Sequence, residues 1–160
     1  MEQEELARIG ASAPRRMIGV GALLGLGGLL LYVGLATPMD SVLWQAVLVL
    51  FGLFALWASQ MMWKATGIQL ILTEEGLFED TGTVLALMDE VAKVDRSPFA
   101  MKPSNGFLLI LKEPRPRAWR PGLWWRIGRR VAVGGVTSGG HTKPMADIMT
   151  LRLAQREGKV

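Results

Sequence analysis

The chain has no cysteine and a single histidine, His141, in 160 residues. Disulfides, thiolate metal ligands and cysteine nucleophiles are therefore excluded, and a histidine-rich metal centre cannot be built within one chain. Charge is missing from a long stretch: between Met17 and Trp63 only Asp40 carries one, although the whole chain holds 18 Lys+Arg and 14 Asp+Glu. The net charge of +4 and the 50% hydrophobic content are thus averages over two unlike regions, which excludes a uniform soluble globule.

Two apolar runs fill the uncharged region. Met17–Ala36 has 20 residues and Val42–Trp63 has 22, the second with Gln45, Ser59 and Gln60 as its polar members near the ends. At about 1.5 Å per residue each spans a bilayer core of about 30 Å. Pro38 stops the first helix and Asp40 or Ser41 caps the second, so a tight antiparallel transmembrane hairpin is expected. Gly34-Leu35-Ala36 has the small residues of a signal-peptide cleavage site, but the run is longer than such segments and a second run follows at once. Arg8, Arg15 and Arg16 precede the first helix, Lys64 follows the second, and the connecting loop has no basic residue. Both termini are then cytoplasmic in a bacterial inner membrane, with Tyr32, Trp44 and Trp63 as interface anchors. The expected divisions are a cytoplasmic N-terminal segment 1–16, a hairpin 17–63 and a cytoplasmic domain 64–160.

Six glycines in the first run are costly in a helix and need a packing reason. Gly21, Gly25 and Gly28 share one stripe, and Gly52, Ala55 and Ser59 offer a comparable face on the second run. Contact inside the hairpin, contact with a second copy and contact with another membrane protein all satisfy this pattern.

Beyond Lys64 short apolar runs alternate with turn residues. Strands are expected at 67–73, 76–78, 83–88, 107–112 and 130–134, with Asn105-Gly106 the strongest hairpin signal. Met145, Ile148, Met149 and Leu153 recur at helical spacing, Thr142 is a candidate cap, and Pro144 suits the first turn. An amphipathic C-terminal helix of this kind needs a sheet or open barrel to cover its apolar face.

The hairpin followed by "LILTEEGL", "LALMDEVAKV", "GFLLILK", a Trp-rich turn, "RRVAVGG" and a terminal helix resembles the bacterial membrane-anchored pleckstrin-homology-like domain proteins. The resemblance is in the order of elements over about Gly67 to Arg156. It implies a small α+β domain: a curved antiparallel sheet or open barrel with one C-terminal helix. It brings no catalytic residue with it, and the proline-rich insertion around Pro114 to Pro121 departs from the pattern.

The densest chemical feature is Lys112–Arg130, where Arg115, Arg117, Arg120, Arg126, Arg129 and Arg130 interleave with Trp119, Trp124 and Trp125. Its prolines predict an extended loop or hairpin tip. Beside an anionic leaflet, each basic side chain adds about 1 kcal/mol and tryptophan suits the interface, so lipid headgroups are one partner. A protein interface rich in Arg and Trp is a second, and a solvated loop with Trp124 or Trp125 packed into the sheet a third. No nucleic-acid module accompanies the patch.

The turn Gly134–Thr142 superficially looks like a phosphate loop, but His141 stands where the nucleotide-binding motif has lysine. Backbone N–H groups at the following helix start still suit a lipid phosphate. The carboxylate pairs Glu74-Glu75, Glu79-Asp80 and Asp89-Glu90 lie at turns, where solvation explains them. Ser97, Ser104 and Ser138 lack the flanking glycines of a nucleophile elbow. The resulting expectation is a non-enzymatic integral membrane protein with no cofactor, no metal and no small-molecule substrate. Its basic domain would bind membrane lipids or a membrane-protein partner, self-association included; the alternative is an accessory or assembly subunit of a larger membrane complex.

Overall fold

The stretches nearly free of charge form the two longest helices of the computed structural model, which describes residues 4–159. Helix α1 runs Ala13–Ala36 and α2 runs Val42–Ala65. Pro14 sits in the first turn of α1, where its missing N–H is no loss. The chain turns between Thr37 and Ser41, and α2 begins as Gln45 N–H bonds to the Ser41 carbonyl. Both helices are long and apolar enough to span a membrane, and only 17% of each apolar window is buried, unlike a helix in a soluble core.

α1 and α2 pack through glycines, though not the expected stripe. A Cβ on Gly27 would lie 2.9 Å from the Leu56 side chain and 3.0 Å from the Gly52 carbonyl oxygen. One on Gly52 would meet Leu31 at 2.8 Å. Gly19 faces Met62 and Gly34 faces Val49, whereas Gly21, Gly25 and Gly28 have open space where a side chain would be. The residues meeting α2 are Gly19, Gly27 and Gly34, at spacings of eight and seven, which follow the crossing of the two helices better than a GxxxG run. Gly52, Ala55 and Ser59 do lie in this contact, with Ala55 and Ser59 buried. The polar side chains within it are satisfied: Ser59 donates to the Val20 carbonyl at 3.3 Å and Gln45 to the Gly34 carbonyl at 2.9 Å.

Residues 13–64 make one compact unit, and residues 4–12 with 65–159 make the other. The second unit has two antiparallel sheets and a helix. The four-stranded sheet has the order β1 (Glu5–Ile9), β2 (Leu70–Thr73), β3 (Gly76–Glu79), β4 (Val84–Leu87). The three-stranded sheet has the order β5 (Val91–Asp95), β6 (Phe107–Arg120), β7 (Trp124–Val133), and α3 (Gly139–Arg156) follows. The sheets do not form a closed barrel. β1 is a strand the sequence pattern did not signal: it pairs with β2 in the register Ile9↔Leu70 and Arg8↔Ile71, so the apolar hairpin is inserted between the first two strands of one sheet.

The core lies between the sheets and α3. Leu70, Leu72, Leu77, Leu85, Leu109, Leu111, Val131 and Val133 are fully buried, and α3 adds Met145 and Met149. Ser138, not Thr142, caps α3: its hydroxyl accepts from the Gly140 N–H, while Thr142 is buried inside the helix and donates to the Asn105 carbonyl. Lys112–Arg130 is likewise more regular than its prolines imply, because β6 and β7 run through it as one long hairpin. The prolines coincide with the breaks in its ladder. Register slips between Ile110 and Arg115 and again between Arg115 and Ala118, so Pro114 and Pro116 sit where few N–H donors are required.

Candidate functional site

The β6–β7 hairpin divides its arginines and tryptophans between two faces. Alternation along β7 turns Trp124 and Arg126 inward and Trp125 and Ile127 outward. Trp124 is buried, and its indole N–H donates to Glu79 Oε1 at 2.7 Å. Arg120 grips the same carboxylate with Nε at 2.9 Å and Nη2 at 3.2 Å, and the Thr81 hydroxyl donates to it at 2.8 Å. Burial pushes the Glu79 carboxyl up, but the hydrogen bonds from Arg120, Thr81 and Trp124 and the Arg120 charge outweigh it, leaving its pKa below the ordinary value. Glu79 is thus a buried anion that ties β3 to the hairpin.

Arg126 does the corresponding work on β4. Its guanidinium donates to the carbonyls of Val84 at 2.8 Å, Leu85 at 3.0 Å and Pro116 at 2.8 Å, and it stands 5.8 Å from the Trp124 ring centroid. Burial, then the charge of Arg115, draws its pKa down. The β4 carbonyls it occupies are edge groups that would otherwise accept another strand. Arg115 pairs with Glu90 at 2.9 Å, and Arg129 donates to the Leu111 carbonyl at 2.9 Å. Of the nine residues expected to make one binding surface, Arg115, Arg120, Trp124, Arg126 and Arg129 are therefore committed to holding the hairpin in place.

The outward face keeps Arg117, Trp119, Trp125 and Ile127 together. Trp119 and Trp125 are direct cross-strand partners, and with Arg117, Ala118 and Ile127 they line a shallow cleft of about 480 Å³. Trp119 is 62% exposed and Ile127 51%, an unusual outlay of large apolar groups on a strand pair. Arg117 and Arg130 are exposed and have no hydrogen-bond or ion-pair partner among the described residues. The turn beside Trp119 and Trp125 is stitched inward, since Val136 N–H donates to the Gly122 carbonyl at 2.9 Å. Ser12, the residue before α1, donates to the Val136 carbonyl at 2.8 Å. The Trp119–Trp125 end of the hairpin thus belongs to the part of the domain from which the chain departs for α1.

Sequence reasoning missed this two-faced division and the role of Glu79, which it took for a solvated turn residue. The signal that could have found them is the period-two alternation Trp124-Trp125-Arg126-Ile127 once β7 is read as starting at Trp124. The amides after Ser138 are also engaged differently from a phosphate loop: Gly140 bonds to the Ser138 hydroxyl, and His141 and Thr142 bond to the Ser138 carbonyl. Among the described residues no group of three or more His, Asp or Glu is arranged to hold a metal. Comparison with protein-family models, with curated proteins and with solved structures finds no match to this chain.

Proposed function

We propose that this chain is a non-enzymatic bacterial inner-membrane protein whose two apolar helices anchor a pleckstrin-homology-like domain with both termini in the cytoplasm, and whose Arg117–Trp119–Trp125–Ile127 face docks on the anionic lipid surface. The order of four strands, three strands and a C-terminal helix supports the domain reading. The observation that carries the docking is the segregation within the hairpin: Trp124 is buried on Glu79, whereas Trp119 and Ile127 are exposed and Trp125 half-exposed, beside an Arg117 with no partner among the described residues. Indole rings with an apolar body and a polar edge, set among cations, suit a headgroup layer.

The test reconstitutes the full chain in nanodiscs of phosphatidylcholine with or without phosphatidylglycerol and records tryptophan quenching by brominated lipid. Arg117→Glu with Trp119→Ser is expected to lower the quenching that depends on phosphatidylglycerol. Raised salt should do the same, because exposed charges are screened. Quenching unchanged by both counts against docking. The second reading, an accessory or assembly subunit, rests on the open Gly21–Gly25–Gly28 stripe, which suits close approach by another helix. A stoichiometric large partner retained in mild detergent would favour it.

A further inference from the structure

A cavity of about 270 Å³ lies between the connection 96–106 and the first turn of α3, apart from the Trp119–Trp125 face. Three cations line it, Arg96, Lys102 and Lys143, together with Asn105 and Thr142, and no carboxylate does. Two of the cations are held in place: Arg96 is ion-paired to Asp147, and Lys102 Nζ donates to the Arg96 carbonyl at 2.9 Å. Lys143 is exposed and has no hydrogen-bond or ion-pair partner among the described residues. Between Arg96 and Lys102 the connection displays Phe99 at 97% exposure and Met101 at 74%. Such side chains on a tip bracketed by cations are costly in water and suited to a lipid interface.

We propose that this cavity binds the phosphate of an anionic phospholipid while Phe99 and Met101 enter the lipid beside it. The inference rests on the membrane reading above. Its volume suits a phosphate group with its first linkage, not an acyl chain or a nucleotide. Because the amides of Gly140, His141 and Thr142 are already bonded to Ser138, the anion is held by side chains, and Lys143 is the one free to close on it. Gly135 N–H bonds to the Ser104 carbonyl at 2.9 Å, Ala11 bridges Thr137, and Ser12 bonds to Val136, which ties the 96–106 connection to the end of the domain where the chain leaves for α1.

The experiment uses the full chain in neutral-detergent micelles, titrated calorimetrically with dioctanoyl phosphatidic acid, dioctanoyl phosphatidylcholine and inorganic phosphate. Phosphatidic acid is expected to bind saturably and at least tenfold more tightly than either of the others. Lys143→Glu should weaken it at least tenfold while leaving the fold intact, since Lys143 is exposed and glutamate is as good a helix former as lysine. Phe99→Ser should weaken phosphatidic acid and leave inorganic phosphate unchanged, whereas Arg117→Glu should alter neither. Absence of binding, or affinity unchanged by Lys143→Glu, overturns the proposal. Loss on Arg117→Glu alone overturns it too while sparing the hairpin face as a docking surface, and phosphate binding as tight as phosphatidic acid and indifferent to Phe99 assigns a soluble anion instead of lipid.

Discussion

Replacing Glu79 by alanine is the sharpest test of how the hairpin is held. The Trp124 indole N–H, buried and 2.7 Å from Oε1, loses its acceptor, which costs about 1–3 kcal/mol for a buried donor. Arg120 loses two charge-assisted bonds, but its side chain is 41% exposed and can turn to water, so its share is discounted to about 1 kcal/mol or less. The total is about 1–4 kcal/mol, a large part of the stability of a small domain. Glu79→Gln can keep its amide oxygen as the acceptor for Trp124 while its NH2 replaces the oxygen that accepts from Arg120 Nη2 and Thr81, both able to turn away, so it should cost less than alanine. The measurement is urea unfolding of the full chain in neutral detergent, followed by the circular dichroism of the sheets. Because the folded-state pKa of Glu79 is lowered, its contribution is complete above the unfolded value of about 4.3 and is lost as pH falls through the folded value. The wild-type advantage over Glu79→Gln should therefore shrink only on acidification below about pH 4. A cost under about 0.5 kcal/mol for alanine, or equal costs for alanine and glutamine, refutes the reasoning.

Three further expectations follow from other contacts. A chain beginning at Ala65 lacks β1 and should be aggregation-prone, whereas joining Ser12 to Ala65 through a short glycine-serine linker should yield a soluble domain with the β1–β2 register intact, checked by amide exchange at Leu70 and Leu72. Gly106→Ala should destabilise by about 2 kcal/mol or more in the same urea assay, because a Cβ there overlaps the Val133 carbonyl oxygen, backbone that cannot step aside. In the apolar unit, Gly52→Val should slow disulfide formation between cysteines placed at Val20 and Ser59, whereas Gly25→Val should not, since only Gly52 meets the opposite helix.

Legibility from the sequence tracked how strongly each residue's environment repeats. Long uncharged runs announce themselves by composition alone, and α1 and α2 extend the expected spans by only a few residues. Leu70–Thr73, Val84–Leu87 and the start of β6 are apolar enough to be read as strands. β1 and β5 were not, because each buries a single residue completely, Ile9 and Val91, among exposed or partly exposed neighbours. Their partners complete them, and no local pattern encodes a partner 61 residues away across an inserted hairpin. The Arg/Trp cluster was visible as composition, but its division depended on β7 running through it. A buried carboxylate at Glu79 was invisible because the guanidinium and indole that satisfy it arrive from 41 and 45 residues further along.

The insertion of the hairpin between β1 and β2 bears directly on how weak a surface site can be and still act. Two chain crossings, at Ser12 and Ala65, connect the apolar unit to the domain, so on the membrane reading the domain is already confined to the lipid surface. The loss of translational freedom that normally opposes association is then borne by the anchor. Arg117 and Lys143, at about 1 kcal/mol per cation near an anionic leaflet, would be negligible for a soluble domain but suffice to choose an orientation once the domain is tethered. Occupancy of the two sites should thus respond to the anionic fraction of the membrane in nanodiscs far more steeply than soluble-lipid affinities suggest. Moving the attachment, by lengthening the Ser12–Ala13 and Lys64–Ala65 junctions with flexible residues, should reduce that response without changing the affinity for soluble phosphatidic acid.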